Sequence, residues 1–285
     1  MESARGSQSY APDRIARMSS TEPDQPATRA GRRRLSAAKT TRPRRPLSVV
    51  GVLGELLITG GVLVMLFLVW QLWLNDAVVR AAHDNEAAQL SKQWSTSAPE
   101  TVDPDAENNS QPVDYGVAPV LTQPADAETF GIMYVPRFGV DYAAKLAGGV
   151  SKARTLDPLG LGHYPDTQMP GEAGNFAVAG HRNTHGKPLN QIGSLQVGDA
   201  IVVEVPDGWY TYRYRTTEYV KPSGVGVLDP VPQADGVIAT DSIITLTSCN
   251  PVFSQAERII AYGLFESWTP RAAGPPESLN EPLEG

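Results

Sequence analysis

Apolar and polar positions divide this chain into a polar segment, one long apolar segment and a region of short apolar runs. Few apolar residues occur in positions 1–48, whereas no charged residue interrupts positions 56–74. In positions 129–268, short runs rich in Val, Ile, Tyr, Phe and Thr alternate with Gly, Pro, Asn and Asp. This last pattern is typical of β-strands separated by turns.

Seven of the short runs have the composition of strands. They cover positions 130–136, 175–181, 199–205, 209–220, 236–239, 242–248 and 258–265. The third and fourth runs flank Pro206-Asp-Gly208, a turn sequence that predicts a hairpin. In the fourth run Tyr210, Tyr212 and Tyr214 share one face, because side chains alternate along a strand. Many short strands and few helical windows predict an all-β domain, folded as a closed barrel or a sandwich.

The apolar segment at positions 56–74 has the length of a membrane span. As an α-helix it would extend roughly 28 Å, close to the ~30 Å hydrocarbon core of a bilayer. Trp70 and Trp73 lie near its far end, where aromatic rings favour the membrane interface. A cleavable signal peptide is the alternative, but its apolar core is only about 7–15 residues long. We therefore predict one uncleaved transmembrane helix over residues 49–75.

Charge is distributed unevenly along the chain and predicts the orientation of this helix. Positions 1–45 contain eleven Lys and Arg but four Asp and Glu, whereas the other 240 positions contain thirteen and twenty-seven. Basic residues that flank a span remain cytoplasmic, so the amino terminus is predicted inside and the remainder outside the cell membrane. A basic tail could also bind nucleic acid, but its place directly before the span favours the membrane interpretation.

Composition completes the predicted domain organisation. Residues 1–48 cannot bury enough apolar surface to order themselves, and a Pro- and Asp-rich stretch follows a helix-forming segment at positions 75–94. The predicted parts are a disordered basic cytoplasmic tail at 1–48, the transmembrane helix at 49–75, an extracellular stalk and linker at 76–128, a folded domain at 129–268 and a flexible tail at 269–285.

Cys249 is the only cysteine and ends a strand-like run. Exported proteins usually carry cysteines in pairs, because oxidising compartments convert them into disulfides. A single exported thiol is therefore a candidate reactive group. The alternative is a small buried side chain, since free cysteine is among the most buried residue types.

A cysteine nucleophile needs a proton-transfer partner. His181 is the strongest candidate, because it directly follows a short apolar strand and because Gly180 allows another chain to approach. His163 could line a cleft, and His185 could contact substrate or solvent. His83 lies in the predicted stalk, where a chemical role is not expected.

We expect neither a metal ion nor a cofactor. His181 and His185 have a spacing that suits zinc on a helix. However, the residues between them are poor helix formers, and no Glu follows the first histidine as the zinc-protease signature requires.

Arg258 is the candidate for stabilising negative charge. It lies nine residues after Cys249 and begins the next strand-like run. A loop of this size can return the chain beside the cysteine strand, where a guanidinium could donate hydrogen bonds to an oxyanion. The alternative is a salt bridge to Glu257 or a simple surface charge.

These motifs together resemble the sortase family of cysteine transpeptidases. Thr245-Leu-Thr-Ser-Cys249 is similar to the family's Thr-Leu-x-Thr-Cys strand, with serine at position 248 where threonine is usual. Ala179-Gly-His181 resembles the family's histidine strand, and Arg258 falls where its arginine begins the following strand. Val225-Gly-Val-Leu-Asp229 is also sortase-like, and Cys249-Asn-Pro251 resembles class E sortases in particular.

The resemblance implies a closed eight-stranded β-barrel with short helices. It also implies that Cys249 attacks the Thr–Gly bond of a Leu-Ala-x-Thr-Gly or Leu-Pro-x-Thr-Gly sorting signal, with His181 and Arg258 assisting. The partners would be secreted proteins that carry a C-terminal sorting signal, and an amine of a cell-wall precursor or another protein, with no nucleic acid. His163, His185, Thr247 and Ser248 are the expected substrate-binding residues.

Three other functions are alternatives. Cysteine L,D-transpeptidases have a histidine two residues before the cysteine, where this chain has Thr247. A cysteine peptidase would hydrolyse the acyl enzyme instead of transferring it. A non-catalytic β-barrel binding module would merely pack Cys249.

Overall fold

The computed structural model describes residues 48–70, 75–97 and 115–281. By contacts the chain divides into units at 1–52 and 53–285, and the barrel belongs to the second unit. Helix α1 covers Val49–Val69, has a mean hydropathy of 2.4 and buries none of its residues. Its length and composition suffice to cross a membrane. The predicted cytoplasmic tail, apart from position 48, and Trp73 lie outside the described residues.

The folded domain is a closed barrel of eight strands, which confirms the predicted fold class. The strands are β1 (Thr129–Tyr134), β2 (Ala144–Gly148), β3 (Leu161–His163), β4 (Gly174–Gly180), β5 (Ala200–Val205), β6 (Gly208–Val220), β7 (Ser242–Asn250) and β8 (Glu257–Pro270). Around the barrel the order is β1-β2-β3-β4-β7-β8-β6-β5. The pairs β2–β3 and β4–β7 are parallel, and the others are antiparallel.

Helices are few within and around the barrel. They are α2 (Asn75–Ser97), α3 (Asp157–Leu159), a π-helical turn at Lys152–Leu156, and 3-10 turns at Pro136–Phe138, Ile192–Ser194, Val225–Leu228, Arg271–Ala273 and Glu277–Leu279. Most of these turns lie in connections between strands, so the barrel strands supply the rigid frame of the domain.

Six of the seven predicted strands exist, and one does not. Gly236 lies in a turn with a left-handed φ of 72°, and positions 237–239 are irregular. The sequence pattern also missed β2 and β3. Lys145 interrupts the apolar pattern of β2, although it is buried and pairs with Glu86. β3 is only three residues long, too short to produce a periodic signal.

The barrel interior contains the main hydrophobic core. Tyr210, Tyr212 and Tyr214 all point into it, which confirms the prediction that they share one face of β6. The ring of Tyr210 lies 4.6 Å from that of Trp268 on β8, measured between centroids. Arg213 occupies the opposite face of β6 and pairs with Glu266 at 2.8 Å. The predicted hairpin of β5 and β6 is therefore confirmed. The face of β6 that carries the three tyrosines is the buried one.

The segment after position 268 is not the flexible tail that its composition predicted. β8 continues to Pro270, and the guanidinium of Arg271 lies 4.2 Å from the ring centroid of Trp209. Arg271 also donates to the buried carboxylate of Glu204 at 2.6 Å. Ser278 is buried beside Thr211. Composition could not reveal this, because one arginine inserted against the barrel holds the segment. Residues 282–285 lie outside the described part.

The predicted stalk and linker also pack on the barrel where they are described. Tyr210 Oη donates to the carbonyl oxygen of Pro119 at 2.6 Å, and Gln123 Nε2 donates to that of Thr167 at 2.6 Å. The ordered domain therefore includes residues 115–128. Helix α2 is not a free stalk either, because Ala87 is fully buried against Ile132.

Candidate active site

Cys249 and Arg258 are directly opposite residues on β7 and β8. The six residues between Asn250 and Glu257 reverse the chain, so the loop returns as the sequence predicted. Cys249 is partly exposed and forms no disulfide. Opposite residues on paired strands project to the same face of a sheet. The thiol of Cys249 and the guanidinium side chain of Arg258 therefore lie beside each other on one face.

The guanidinium of Arg258 is exposed and contacts only its own loop. Nη1 donates to the carbonyl oxygens of Gln255, at 3.2 Å, and Glu257, at 2.9 Å. The carboxylate of Glu257 instead accepts from Asn250 Nδ2 at 3.0 Å. Among the described residues no carboxylate pairs with Arg258, and its Nε and Nη2 donate to no protein group. These donors are therefore free to bind an incoming oxyanion.

His181 follows β4, which runs parallel to the cysteine strand β7. In the register Ala179 is opposite Thr247, so two further residues bring His181 level with Cys249. Ser248 Oγ donates to the carbonyl oxygen of Gly180 at 2.8 Å, which holds the two strand ends together. Neighbouring strands are about 4.8 Å apart. The imidazole, the thiol and the guanidinium thus emerge from three consecutive strands at one end of the barrel.

Asp157 lies beside the histidine, and sequence analysis missed it. His181 Nε2 is 2.7 Å from Asp157 Oδ1, and His185 Nδ1 is 3.6 Å from the same oxygen. The two imidazole centroids are 5.0 Å apart. In the sequence Asp157 is only an acidic residue before a proline, 24 positions from His181. Only the fold reveals it as a neighbour of the histidine.

The same three side chains are the ones that could hold a metal ion in this region. The ligand atoms of Asp157, His181 and His185 all lie within 4.8 Å of one another. Two imidazoles and one carboxylate are common zinc ligands. Asp157 is distant from the two histidines in the sequence, so the spacing of His181 and His185 does not reveal this combination.

Arg182 is a second residue that sequence analysis did not identify. Its Nη1 donates to Asn250 Oδ1 at 2.7 Å and to the carbonyl oxygen of Cys249 at 3.3 Å. Its buried Nε has no hydrogen-bond partner among the described residues. Arg182 therefore ties the segment that carries His181 to the end of the cysteine strand. Its position directly after the histidine was the signal available in the sequence.

A floor of small side chains leads along β4 and β7 towards Cys249. Ala177, Ala179, Thr245 and Thr247 are buried, yet they point away from the barrel core because strand side chains alternate. The hydroxyl of Tyr164 lies 3.0 Å from Thr247 Oγ1 on this outer surface. Because these outer side chains are small, we take this floor as a candidate binding groove for an extended peptide backbone.

A short turn covers the far end of this floor. Asn175 Nδ2 donates to the carbonyl oxygens of Val227, at 2.9 Å, and Asp229, at 3.0 Å. Thr245 Oγ1 in turn donates to Asn175 Oδ1 at 2.6 Å. The sortase-like segment at 225–229 is therefore attached directly to the floor, at the end remote from Cys249.

The four expected substrate-binding residues occupy different environments. Thr247 faces the floor of the groove, and His185 is nearly half exposed beside Asp157. Ser248 is buried. Its side chain projects from the opposite face of β7 to those of Thr247 and Cys249, because side chains alternate along a strand.

His163 is also buried, with 1% of its surface exposed, and stacks on Phe176 at 5.1 Å between centroids. Its Nε2 lies 3.0 Å from Thr167 Oγ1, and burial lowers its pKa. The structure thus places His163 and Ser248 away from the groove, which corrects their expected role in contacting substrate.

Comparison with known proteins identifies the family of this chain. The sortase domain family model matches residues 133–266. Sortase SrtE1 of Streptomyces coelicolor is 34% identical over 264 residues, which cover 89% of this chain and 68% of that protein.

Two solved structures have the same fold. Sortase E1 from Streptomyces coelicolor, crystallised with a tripeptide in the active site, is 39% identical, with a TM-score of 0.51 over 55% of this chain and 99% of that chain. The SrtA sortase from Actinomyces oris is 37% identical, with a TM-score of 0.55 over 58% of this chain and 94% of that chain. The chain therefore belongs to the sortase family and is a transpeptidase enzyme, similar to class E sortases.

Proposed function

We propose that this enzyme is a membrane-anchored sortase that cleaves a Leu-Ala-x-Thr-Gly or Leu-Pro-x-Thr-Gly type sorting signal between Thr and Gly. It transfers the new acyl group to an amine of a cell-wall precursor or of another protein. The observation that carries this proposal is the pairing of Cys249 with Arg258, beside strand β4, which His181 directly follows. A thiol, a proton carrier and a fixed cation at one strand end are the groups that acyl transfer needs.

In the first step the thiolate of Cys249 attacks the carbonyl carbon of the signal's threonine. A carbon–sulfur bond forms, and the carbonyl electron pair moves to oxygen. The guanidinium of Arg258 stabilises this oxyanion through donors that remain charged at any physiological pH. The carbon–nitrogen bond then breaks, and the imidazolium of His181 gives its proton to the departing glycine amine. The product is a thioacyl enzyme.

In the second step an acceptor amine attacks the thioester carbon. His181 removes a proton from this amine, the carbon–sulfur bond breaks and the thiolate of Cys249 is restored. Water in place of the amine would give hydrolysis, so transferase and hydrolase activity differ only in the acceptor. Family membership removes the non-catalytic binding module from consideration, and Thr247 before the cysteine argues against an L,D-transpeptidase.

The sorting signal of the substrate would lie in the groove along β4 and β7. Thr247 lines this floor and His185 stands at its catalytic end, so we retain both as substrate contacts. Preference for alanine at the second signal position rests on similarity to class E sortases.

The membrane anchor would be α1, with the basic residues that precede it in the cytoplasm and the barrel outside. This orientation would place the catalytic domain where exported substrates emerge. A protease-protection assay on intact cells tests it, because externally added protease should remove the barrel but leave an epitope at the amino terminus.

Mass spectrometry tests the reaction itself. The full chain in detergent micelles is incubated with a Leu-Ala-Glu-Thr-Gly peptide, with and without hydroxylamine as acceptor. We expect a thioacyl adduct on Cys249 and a hydroxamate product when hydroxylamine is present. Cys249→Ala should abolish both, whereas Val140→Ala, an exposed loop variant, should retain them. A wild-type chain that forms no adduct with alanine- or proline-containing signals would refute the proposal.

A further inference from the structure

Helix α2 contacts both chain segments that meet at His181. The first segment is α3, which begins with Asp157. The backbone carbonyl of Pro158 lies close enough to the imidazole of His83 on α2 to favour its protonated form, although burial lowers the pKa of His83 overall. Its Nδ1 would lie 3.8 Å from a Cβ atom built on Gly160, directly after α3. His83 therefore supports the short helix from which Asp157 reaches His181.

The second segment is the turn at residues 185–187, which follows the catalytic histidine. Asp76 on α2 forms an ion pair with Lys187, with 2.8 Å between Oδ2 and Nζ. Gly186 packs against the helix backbone, because an added Cβ would lie 3.3 Å from the Cα of Arg80. The helix thus touches this turn through both a charge pair and a close backbone contact.

The conformation of this turn requires such support. His185, Gly186 and Lys187 have φ angles of 53°, 78° and 54°, all in the left-handed region. Residues other than glycine rarely adopt this backbone conformation, and the surrounding structure must hold them in it. Contacts from α2 supply that constraint, and the resulting turn brings His185 to within 3.6 Å of Asp157.

Helix α2 is itself held firmly on the barrel. Glu86 pairs with Lys145 of β2, and Ser91 Oγ donates to Glu204 Oε1 at 2.9 Å. Ala87 is fully buried, and the indole of Trp94 lies 6.0 Å from the guanidinium of Arg271. A helix fixed along its length can act as a rigid support for the two segments near its amino-terminal half.

We propose that α2 is a structural part of the active site and that Asp157 is a positioning residue for His181. Its carboxylate accepts the Nε2 proton of His181, which orients the imidazole and leaves Nδ1 to exchange protons with thiol and substrate. His83, Asp76 and Lys187 keep α3 and the turn in the geometry that brings Asp157 and His181 together. This inference rests on the proposed role of His181 in transpeptidation.

The test uses the full chain in detergent micelles, the Leu-Ala-Glu-Thr-Gly peptide and hydroxylamine. Asp157→Asn, His83→Ala and Asp76→Lys should each lower kcat by about 10- to 100-fold, because small displacements of a catalytic group have effects of this order. KM for the peptide should change less than kcat, since these residues reach the peptide only through His185 and do not line the groove themselves. Gln89→Ala, an exposed position on the same helix, is the matched control and should retain the wild-type kcat.

A charge exchange separates positioning from general destabilisation. Asp76→Lys and Lys187→Asp should each reduce kcat, and the double variant should recover most of it if the ion pair positions the turn. Circular dichroism melts of all variants check folding. Asp157→Asn retains the shape of the side chain, so it tests the carboxylate even if the other variants unfold.

The outcomes distinguish the two proposals. If the wild-type chain forms no adduct, the proposed function fails. If the wild type transfers the peptide but Asp157→Asn and the α2 variants match Gln89→Ala in kcat, the positioning role is overturned and the function stands. A fall in kcat with unchanged melting temperature, restored by the charge exchange, supports the role of α2.

Discussion

The hydroxyl of Ser248 donates a 2.8 Å hydrogen bond to the carbonyl oxygen of Gly180, across the parallel pair β4 and β7. This bond lies one residue before both Cys249 and His181. It joins the two strands where their backbone ladder ends, because the last paired residues are Ala179 and Thr247. The relative position of thiol and imidazole therefore depends on a buried side chain that touches neither.

Replacing Ser248 tests this dependence. Ser248→Thr retains the hydroxyl and should keep kcat/KM within a few-fold of wild type. Ser248→Val has nearly the shape of threonine but leaves the Gly180 carbonyl without its partner, at a cost of about 1–3 kcal/mol. Urea denaturation and peptide-transfer kinetics on both variants check the prediction. Equal kcat/KM for Val and Thr would show that the bond does not align the site.

Arg258 should matter for the reaction and not for stability. Its guanidinium is exposed and bonds only to carbonyl oxygens of its own loop, so Arg258→Lys and Arg258→Ala should leave the midpoint of unfolding nearly unchanged. Both should lower kcat by on the order of 10²-fold or more, because lysine cannot reproduce a planar fork of donors aimed at an oxyanion. Transfer kinetics with the Leu-Ala-Glu-Thr-Gly peptide measure this. A lysine variant with the wild-type kcat would contradict the oxyanion role.

His163 should make the barrel sensitive to acid. Burial lowers its pKa below the ordinary value of 6.5, so the folded state favours the neutral imidazole. Stability from this group is complete above about pH 6.5 and decreases as the pH falls towards the lower pKa of the folded state, because the unfolded chain then binds the proton more readily. Thermal melts at pH 7.5 and 5.5 should show a smaller loss for His163→Gln than for wild type.

A second histidine contributes to the same acid sensitivity. Burial, with Lys145 nearby, also lowers the pKa of His83, so His83→Gln should remove a separate part of the acid sensitivity. If His163→Gln and wild type lose the same stability between the two pH values, His163 is not responsible.

Gly180 should tolerate no larger residue. A Cβ there would lie 2.7 Å from Leu161 Cδ2 and 2.8 Å from Leu189 Cγ, inside the closely packed core. Gly180→Ala should therefore destabilise the fold by about 1–3 kcal/mol through overpacking. Adding Leu189→Ala should recover part of this loss by making space, and denaturant titrations of the single and double variants provide the check. A double variant no more stable than Gly180→Ala would point to a cause other than the contact with Leu189.

Arg271 should anchor the carboxy-terminal segment. Its partner Glu204 is 1% exposed, so Arg271→Ala leaves a buried carboxylate without its cation and should cost about 3–5 kcal/mol. Combining Arg271→Met with Glu204→Gln removes both charges and should be less damaging than Arg271→Ala alone. The free energy of unfolding in urea distinguishes the two. Comparable stability of Arg271→Ala and wild type would mean that the segment contributes little.

Sequence patterns located most of the barrel because its long strands have local signals. Alternation placed the three tyrosines of β6 on one face, and the turn at 206–208 predicted the hairpin with β5. The patterns failed at β2 and β3, where a buried lysine and a length of three residues remove the periodic signal. They also failed for residues 271–281, whose Pro- and Gly-rich composition suggested mobility although contacts with distant strands hold the segment.

The chemical groups divide in the same way. Cys249, His181 and Arg258 could be selected from the sequence, because an unpaired thiol, a strand-end histidine and an arginine after a short loop each have local signals. Asp157, Arg182 and the supporting role of α2 could not, because they depend on which distant segments meet. His83 shows this most clearly, since it lies in a predicted stalk but contacts the helix that carries Asp157.

Local sequence patterns are enough to predict a β-rich domain after one apolar helix, and a short set of reactive side chains, because strand alternation and residue chemistry are local properties. The parallel pairing of β4 with β7, which brings His181 level with Cys249, and the polar groups around them follow from the folded barrel. Pairing between strands that are separated by some seventy residues is set by burial over the whole barrel, and no local pattern contains that information.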